Sequence, residues 1–93
     1  MVIIVKRRGH KEKFDGRKVY ASCYAACLSS HLEKKYSEEV SAKVCRTVTK
    51  EIRKIVKGKK EVTSSKIFNM VVRHLRKYDK DAAFMYKTHR DIS

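Results

Sequence analysis

The fold of this chain is decided by residues 1–18, MVIIVKRRGHKEKFDGRK. Strand-forming residues run up to Val5, basic residues and Gly9 follow, and a second alternating segment leads to Phe14. Asp15 is a favourable N-cap, because a short carboxylate accepts hydrogen bonds from the free amides of a first helical turn. The stretch therefore predicts a basic β-hairpin that leads directly into a helix.

A two-residue loop at Gly9-His10 would set the hairpin register. It pairs Arg8 with Lys11, Arg7 with Glu12, Lys6 with Lys13 and Val5 with Phe14. Because side chains alternate along a strand, one face would carry Val5, Arg7, Glu12 and Phe14, and the other Ile4, Lys6, Arg8, Lys11 and Lys13. A nucleotide could lie on the first face, with its base on Val5 and Phe14 and its phosphates near Arg7 and Lys18.

Periodicity and capping signals predict four helices after the hairpin, at residues 16–32, 37–58, 64–75 and 79–90. Thr63 or Ser64 would cap the third helix, which turns Ile67, Met70, Val71 and Leu75 inward. The second helix would bury the stripe Val40, Val44, Val48, Ile52 and Ile55. The predicted class is α+β and mainly helical, with a small N-terminal hairpin capping a four-helix bundle. Glu61-Val62 would extend the hairpin to three strands if it pairs beside it.

Length and composition restrict the number of domains, the location and the kind of partner. A chain of 93 residues is predicted to form one domain, residues 1–93, that buries roughly 60 to 65% of its unfolded surface. The opening apolar run ends before Lys6 and is too short for a signal peptide or membrane span, so we expect a cytoplasmic protein. The net charge of +14 favours polyanionic partners such as nucleotides, RNA or DNA, although solvated lysines on helix faces explain the excess equally well.

Four segments carry a resemblance to a known family. They are Val5-Lys6-Arg7-x-Gly9, Glu12-x-Phe14-Asp15-x-x-Lys18, VTSSKI at residues 62–67 and DAAFMYKTHR at residues 81–90. In this order and spacing they resemble the ATP-cone, a nucleotide-sensing domain of ribonucleotide reductases and of the bacterial ribonucleotide-reductase repressor, here as a free-standing chain. The family usually has Asp where this chain has Arg8, which adds positive charge at the hairpin tip.

The resemblance implies a non-catalytic, allosteric module that binds ATP or dATP, with or without Mg²⁺. It implies that the backbone of Ile4 and Val5 lies along the adenine and that Glu12 and Asp15 lie near the base. Lys18 and the Thr63-Ser64 turn would line the ribose and phosphates, and Lys6, Arg7 and Lys18 are the candidate triphosphate contacts. Lys87 and Arg90 are candidates for a further phosphate contact, although the helix dipole alone favours cations there.

The bound nucleotide would control oligomerisation or docking to a partner such as a ribonucleotide reductase chain. The alternative is a small basic nucleic-acid-binding protein, in which Arg8, Lys11, Lys13 and residues 50–60 contact phosphates without sequence preference, with nucleotide able to gate the binding. The sequence contains no Gly-rich phosphate loop, no His-Glu-x-x-His and no nucleophile beside a His base, so no catalysis is expected.

Three potential metal ligands, Cys23, Cys27 and His31, recur at i, i+4 and i+8 on the first helix. Structural zinc sites normally have a two-residue spacer between cysteines and a fourth ligand, and that spacer is absent here. We therefore predict buried, reduced thiols packed against the second helix, with Cys45 as the third free cysteine, and no metal site.

Overall fold

A computed structural model of the chain describes residues 2–30 and 38–92, and for residues 89–92 the backbone alone. The elements in order are β1 (Ile3–Val5), β2 (Lys11–Lys13), α1 (Gly16–Ser30), α2 (Glu38–Val56), β3 (Glu61–Thr63), α3 (Ser64–Tyr78) and α4 (Lys80–Ile92). The predicted class, α+β and mainly helical, is confirmed. The predicted end of the first helix at residue 32 and the predicted start of the second at residue 37 lie outside the described residues.

The sheet and the helices form two layers. β3 pairs parallel with β1, so the sheet has three strands in the order β2-β1-β3, which confirms the strand expected at Glu61-Val62. Among the helices, α1 packs on α2 and α4, and α3 packs on the same two helices from the other side. This closed arrangement is the predicted four-helix bundle.

The hairpin register differs from the prediction. β1 and β2 pair Ile3 with Lys13, Ile4 with Glu12 and Val5 with Lys11, so the predicted two-residue loop and its four cross-strand pairs are wrong. The loop instead contains Arg7, Arg8 and Gly9, closed by hydrogen bonds from Lys6 N to His10 O (2.7 Å) and from Gly9 N to Lys6 O (2.9 Å). Gly9 has φ 84°, the left-handed conformation that a three-residue hairpin loop requires after its turn.

This register also exchanges the two faces of the hairpin. The partner of Lys13 is Ile3 and not the predicted Lys6, so β2 is shifted along β1 by an odd number of positions. Such a shift places every β2 side chain on the opposite face relative to the side chains of β1. Ile4 and its β3 partner Val62 are buried toward the helices, on the same face as Glu12. The predicted grouping of Val5 with Glu12, and of Ile4 with Lys11 and Lys13, is therefore wrong.

The inner face of α2 is rotated relative to the predicted stripe. Val48 and Ile52 are fully buried, but Val40 and Ile55 are 42% and 36% exposed. Residues four apart are separated by slightly more than one 3.6-residue turn, and residues three apart by slightly less. The predicted stripe therefore does not run straight along the helix, and its first and last residues lie off the inner face. The buried centre of the bundle includes Cys23, Cys27, Cys45, Val48, Ile52, Val71, Leu75 and Ala82.

Polar side chains fix the ends and the packing of α3. Thr63 is its N-cap, as predicted, and Thr63 Oγ1 accepts a hydrogen bond from Lys66 N at 3.2 Å. On the side facing α2, Glu51 accepts hydrogen bonds from Tyr78 (2.5 Å) and contacts His74 Nδ1 (2.6 Å). Lys77 Nζ lies 3.4 Å from the same carboxylate, so Glu51 ties α2 to the last turns of α3. Over the described residues, no helix is long and apolar enough to cross a membrane.

Candidate functional site

Three of the predicted nucleotide-binding side chains meet beside the edge strand β2. Glu12 Oε1 lies 3.2 Å from Lys6 Nζ and 3.5 Å from Lys18 Nζ, and we call this group the Lys6–Glu12–Lys18 cluster. Lys6 follows β1, Glu12 belongs to β2, and Lys18 lies in the first turn of α1. The observed register is the reason that Lys6 reaches Glu12, since both residues project from the same face of the hairpin.

The cluster combines two positive charges with one negative charge. The hydrogen bond from Lys6, together with the charges of Lys6 and Lys18, outweighs partial desolvation and holds the pKa of Glu12 below its ordinary value. The carboxylate is thus ionised at neutral pH between two ammonium groups. Each ammonium has three donors and uses one of them on Glu12, so both retain donors for phosphate oxygens.

Asp15 is engaged locally. Its Oδ1 accepts from Arg17 N (2.9 Å) and Nε (3.1 Å), and its Oδ2 accepts from Arg17 Nη2 (3.1 Å). The first contact is the predicted N-cap of α1. The side-chain and backbone hydrogen bonds from Arg17 lower the pKa of Asp15. A base contact by Asp15 would therefore compete with an Arg17 fork that occupies both of its oxygens.

The strand β1 and the start of α3 lie next to each other. Because β1 and β3 are parallel, their carboxyl ends share one edge of the sheet, and Val5 pairs with Thr63 there. Lys6 leaves β1 at this edge, and Ser64 begins α3 beside it. The N-terminus of a helix favours anions through its free amides and its dipole, so the start of α3 at this edge is a favourable place for an anion. Ile4 is buried in the central strand, which leaves its backbone as the part that could face a base.

Residues that the sequence did not single out bring α4 and α3 to the same side of α1. Ser22, one turn after Lys18, lies with its Oγ 3.2 Å from the hydroxyl oxygen of Tyr86 on α4. Tyr86 in turn stacks on Phe68 of α3, with ring centroids 5.4 Å apart. These side chains continue from Lys18 along one side of α1, and we use the word crevice for the surface that Lys18, Ser22, Tyr86 and Phe68 share. The available sequence signal was the four-residue spacing of Lys18 and Ser22 and the position of Tyr86 beside Lys87.

The remaining candidates are not part of this group. Arg7 is exposed in the hairpin loop. Phe14 packs against the core, on the face opposite to Val5, so the proposed apolar floor of Val5 and Phe14 is wrong. Lys87 lines a separate groove of about 460 Å³ with Arg76, Lys80, Phe84 and Thr88. The side chain of Arg90 lies outside the described residues.

The thiols lie in the core. Cys23, Cys27 and Cys45 are buried and free, and Cys27 Sγ lies 3.7 Å from Cys45 Sγ. Thiol–thiol contact and burial raise the pKa of Cys27, and contact with Cys23 raises that of Cys45 to about 12. His31, the third residue of the possible metal set, lies outside the described residues. Within the described ranges, no three His, Cys, Asp or Glu side chains are grouped as metal ligands.

A small mixed sheet over four helices, with two lysines around Glu12 and a helix that begins at the sheet edge, is an arrangement that suits a phosphorylated ligand. Residues 2–92 match the family model of the ATP cone domain, and the chain belongs to the ATP-cone family. It is thus a nucleotide-binding regulatory domain of a non-catalytic type, and ATP or dATP is the allosteric ligand of such domains. No curated protein matches the sequence.

Proposed function

We propose that this chain binds ATP or dATP, without turnover, at the Lys6–Glu12–Lys18 cluster. The observation that carries the proposal is the meeting of side chains from the end of β1, from β2 and from α1 around one carboxylate oxygen of Glu12. A nucleotide needs cations for its phosphates and a hydrogen-bond acceptor for its amino or hydroxyl groups, and the cluster supplies both.

The ligand would lie between the sheet edge and the crevice wall. Lys6, Lys18 and the first turn of α3 at Thr63-Ser64 would hold the phosphates and ribose. Glu12 would accept from the adenine amino group, beside the backbone of Ile4 and Val5, with Asp15 near the base. Arg7 and Lys87 are exposed, so they would contribute by swinging toward the phosphates after binding.

The bound nucleotide would control association. Phosphates that draw Lys6, Lys18 and α3 together would change the surface formed by the hairpin loop and the first turns of two helices. We expect this surface to set the oligomeric state of residues 1–93, acting as one domain, or its docking to a ribonucleotide reductase chain. We place the protein in the cytoplasm, where the three free thiols would stay reduced.

A thermal-shift panel tests the proposal. At a ligand concentration of 100 times the dissociation constant, one bound ligand stabilises the native state by about 2.7 kcal/mol. For a domain of this size the expected rise in Tm is on the order of 10 °C. ATP or dATP should produce it, pyrimidine triphosphates should produce much less, and magnesium is added in a parallel series. A shift below about one degree for every purine nucleotide would contradict the proposed ligand.

Salt dependence separates this function from the nucleic-acid alternative. An extended phosphate contact loses affinity steeply with salt, by about 0.9 in log affinity per log unit of salt for each phosphate neutralised. We expect duplex DNA to dissociate at physiological salt while ATP remains bound. DNA binding that survives this salt concentration, ignores nucleotide and weakens when lysines in residues 50–60 are changed would support the alternative.

A further inference from the structure

A second group of cations lies between α1 and α2. It lines a groove of about 400 Å³, formed by Arg17, Tyr20, Arg46, Thr49, Lys50 and Arg53. Successive residues of an α-helix are rotated by about 100°, so Tyr20 lies roughly 200° around α1 from Lys18. Ser22, which lies close to the direction of Lys18, faces α4. The groove is therefore on the opposite side of α1 from the nucleotide crevice.

Three of the four cations of this groove form no ion pair with any carboxylate of the described residues. Arg46, Lys50 and Arg53 lie at i, i+4 and i+7 on one face of α2, and no carboxylate within the described part of the chain forms an ion pair with them. Arg17 differs, because Asp15 neutralises it. Like charges three or four residues apart on a helix repel each other, so a bound anion would relieve an unfavourable arrangement.

Thr49, which lines the groove, carries a hydroxyl that has no hydrogen-bond partner in the described part of the chain. Thr49 is 7% exposed, and within the described residues its hydroxyl makes no hydrogen bond. Thr47 on the same helix donates to Lys43 O at 2.9 Å, the bond that a helical Thr commonly makes. Thr49 does not make the corresponding bond. Since buried hydroxyls are normally paired, a ligand oxygen in the groove would satisfy this hydroxyl once the Thr49 side chain rotates toward it.

Tyr20 forms one wall of the groove, and Gly16 affects the groove through the position of Arg53. Tyr20 stacks on Tyr24, with ring centroids 5.9 Å apart and planes inclined by 11°. At the other end, the guanidinium of Arg53 lies against Gly16, where a Cβ would overlap it. A residue with a side chain at position 16 would displace Arg53, so the glycine keeps this cation over the start of α1.

We propose that the α1–α2 groove is a second anion-binding site, which takes a small phosphate-bearing compound through Arg46, Lys50, Arg53 and the Thr49 hydroxyl. A phosphate group fits this donor set because its several oxygens accept from two guanidinium forks, an ammonium and a hydroxyl at once. The charge of Arg46, Lys50 and Arg53, which pair with no described carboxylate, suits a di- or triphosphate group. The site is separate from the nucleotide crevice, and its occupancy does not require an intact Lys18.

The test is an NMR titration of the ¹⁵N-labelled full chain with inorganic triphosphate. We expect amide shifts at Tyr20, Thr49 and Lys50, and we expect them to persist in Lys18→Ala, which damages only the crevice. Arg46→Gln or Arg53→Gln should weaken the binding that these amides report by roughly tenfold, the loss of one charge-assisted contact. Thr49→Val, which keeps the side-chain shape, should weaken it by a smaller factor. The matched control is Arg73→Gln, an exposed arginine of α3 outside the groove.

The outcomes of the titration distinguish a defined site in the groove from diffuse charge attraction and from a nucleic-acid surface. Equal weakening by Arg73→Gln would show diffuse charge attraction and overturn the proposal. Loss of the groove shifts in Lys18→Ala would show that the crevice is the only site and would also overturn it. A single-stranded oligonucleotide is titrated in parallel, because its backbone carries the same phosphate chemistry. Groove shifts with the oligonucleotide but not with inorganic triphosphate would reject a small-molecule site in favour of a nucleic-acid surface.

Discussion

Replacing each lysine of the Lys6–Glu12–Lys18 cluster with alanine should weaken nucleotide binding by a similar factor. Lys6 and Lys18 each contact Glu12 Oε1, at 3.2 and 3.5 Å, and each retains donors for a phosphate. Their side chains are 48% and 67% exposed, which places each phosphate contact at the lower end of the range for charge-assisted hydrogen bonds. We therefore expect Lys6→Ala and Lys18→Ala to raise the Kd for ATP by about tenfold each.

The expected thermal shifts follow from linkage. With ATP at 100 times the wild-type Kd, binding stabilises the wild type by about 2.7 kcal/mol, a tenfold weaker variant by about 1.4 and a hundredfold weaker double variant by about 0.4 kcal/mol. Each single variant should thus show about half of the wild-type rise in Tm, and the double variant should show little. The melting temperatures without ligand should hardly change, because exposed ion pairs contribute little to stability.

The matched control is Lys13→Ala. Lys13 is the neighbour of Glu12 on β2, but it pairs with Ile3 and projects from the outer face of the sheet. It should leave the ATP shift unchanged when measured by differential scanning fluorimetry at fixed ATP concentration. If Lys13→Ala reduces the shift as much as Lys6→Ala does, the ligand does not distinguish the two faces, and the reasoning from the hairpin register is refuted.

Two further predictions concern stability. Thr63→Ala should lower the free energy of unfolding by about 1 kcal/mol and Tm by about 4 to 8 °C, because it removes the N-cap of α3. Thr63→Ser should keep most of this stabilisation. If the alanine variant has the same Tm as the wild type, the cap contributes nothing to stability. Desolvation raises the pKa of Glu51, but hydrogen bonds from Tyr78 and His74 and the charge of Lys77 outweigh it, so this pKa lies below its ordinary value. A carboxyl group whose pKa is lowered by folding stabilises the native state at pH values above its unfolded pKa, and this stabilisation is lost as the pH falls through the folded pKa. The free energy of unfolding in urea should therefore fall more for the wild type than for Glu51→Gln between about pH 7 and pH 3. Equal losses would mean that the Glu51 contacts do not titrate with folding.

The parts of the fold that local signals specify were predictable. The capping of α3 by Thr63 depends only on neighbouring residues, because a threonine side chain accepts a hydrogen bond from the unpaired amides of the helical turn that follows it. The alternation of residue types around the hairpin loop is likewise visible in the sequence. The order of strands and helices follows from such signals. Family membership required the joint spacing of four segments, since each of them is a weak motif alone.

The hairpin register was not predictable, because two loops compete in the same residues. A two-residue loop beginning at Gly9 and a three-residue loop ending at Gly9 both place this glycine where φ is positive. The choice depends on whether Ile4 or Val5 faces the bundle, and both are apolar strand formers. Only packing against Val62 and the helices buries Ile4, and that information lies far away in the sequence.

The crevice wall was missed for a related reason. Ser22 and Tyr86 are separated by 64 positions, and they meet only because α1 and α4 pack side by side. The four-residue spacing places Ser22 on the same side of α1 as Lys18, but it does not reveal that Tyr86 packs there. The α1–α2 groove was likewise hidden, because Thr49 is distinctive only once its buried hydroxyl is seen to lack a partner within the described residues.

The most direct test of the central claim is an ATP titration followed by ¹⁵N NMR on the full chain. Binding in the crevice predicts that the largest amide shifts, at one equivalent of ATP, fall on Lys6, Glu12, Lys18 and Ser64. These residues come from separate segments and share only the site proposed for the nucleotide. If ATP binds while these four amides remain unshifted, the nucleotide lies elsewhere on the molecule, and the account of the Lys6–Glu12–Lys18 cluster is contradicted.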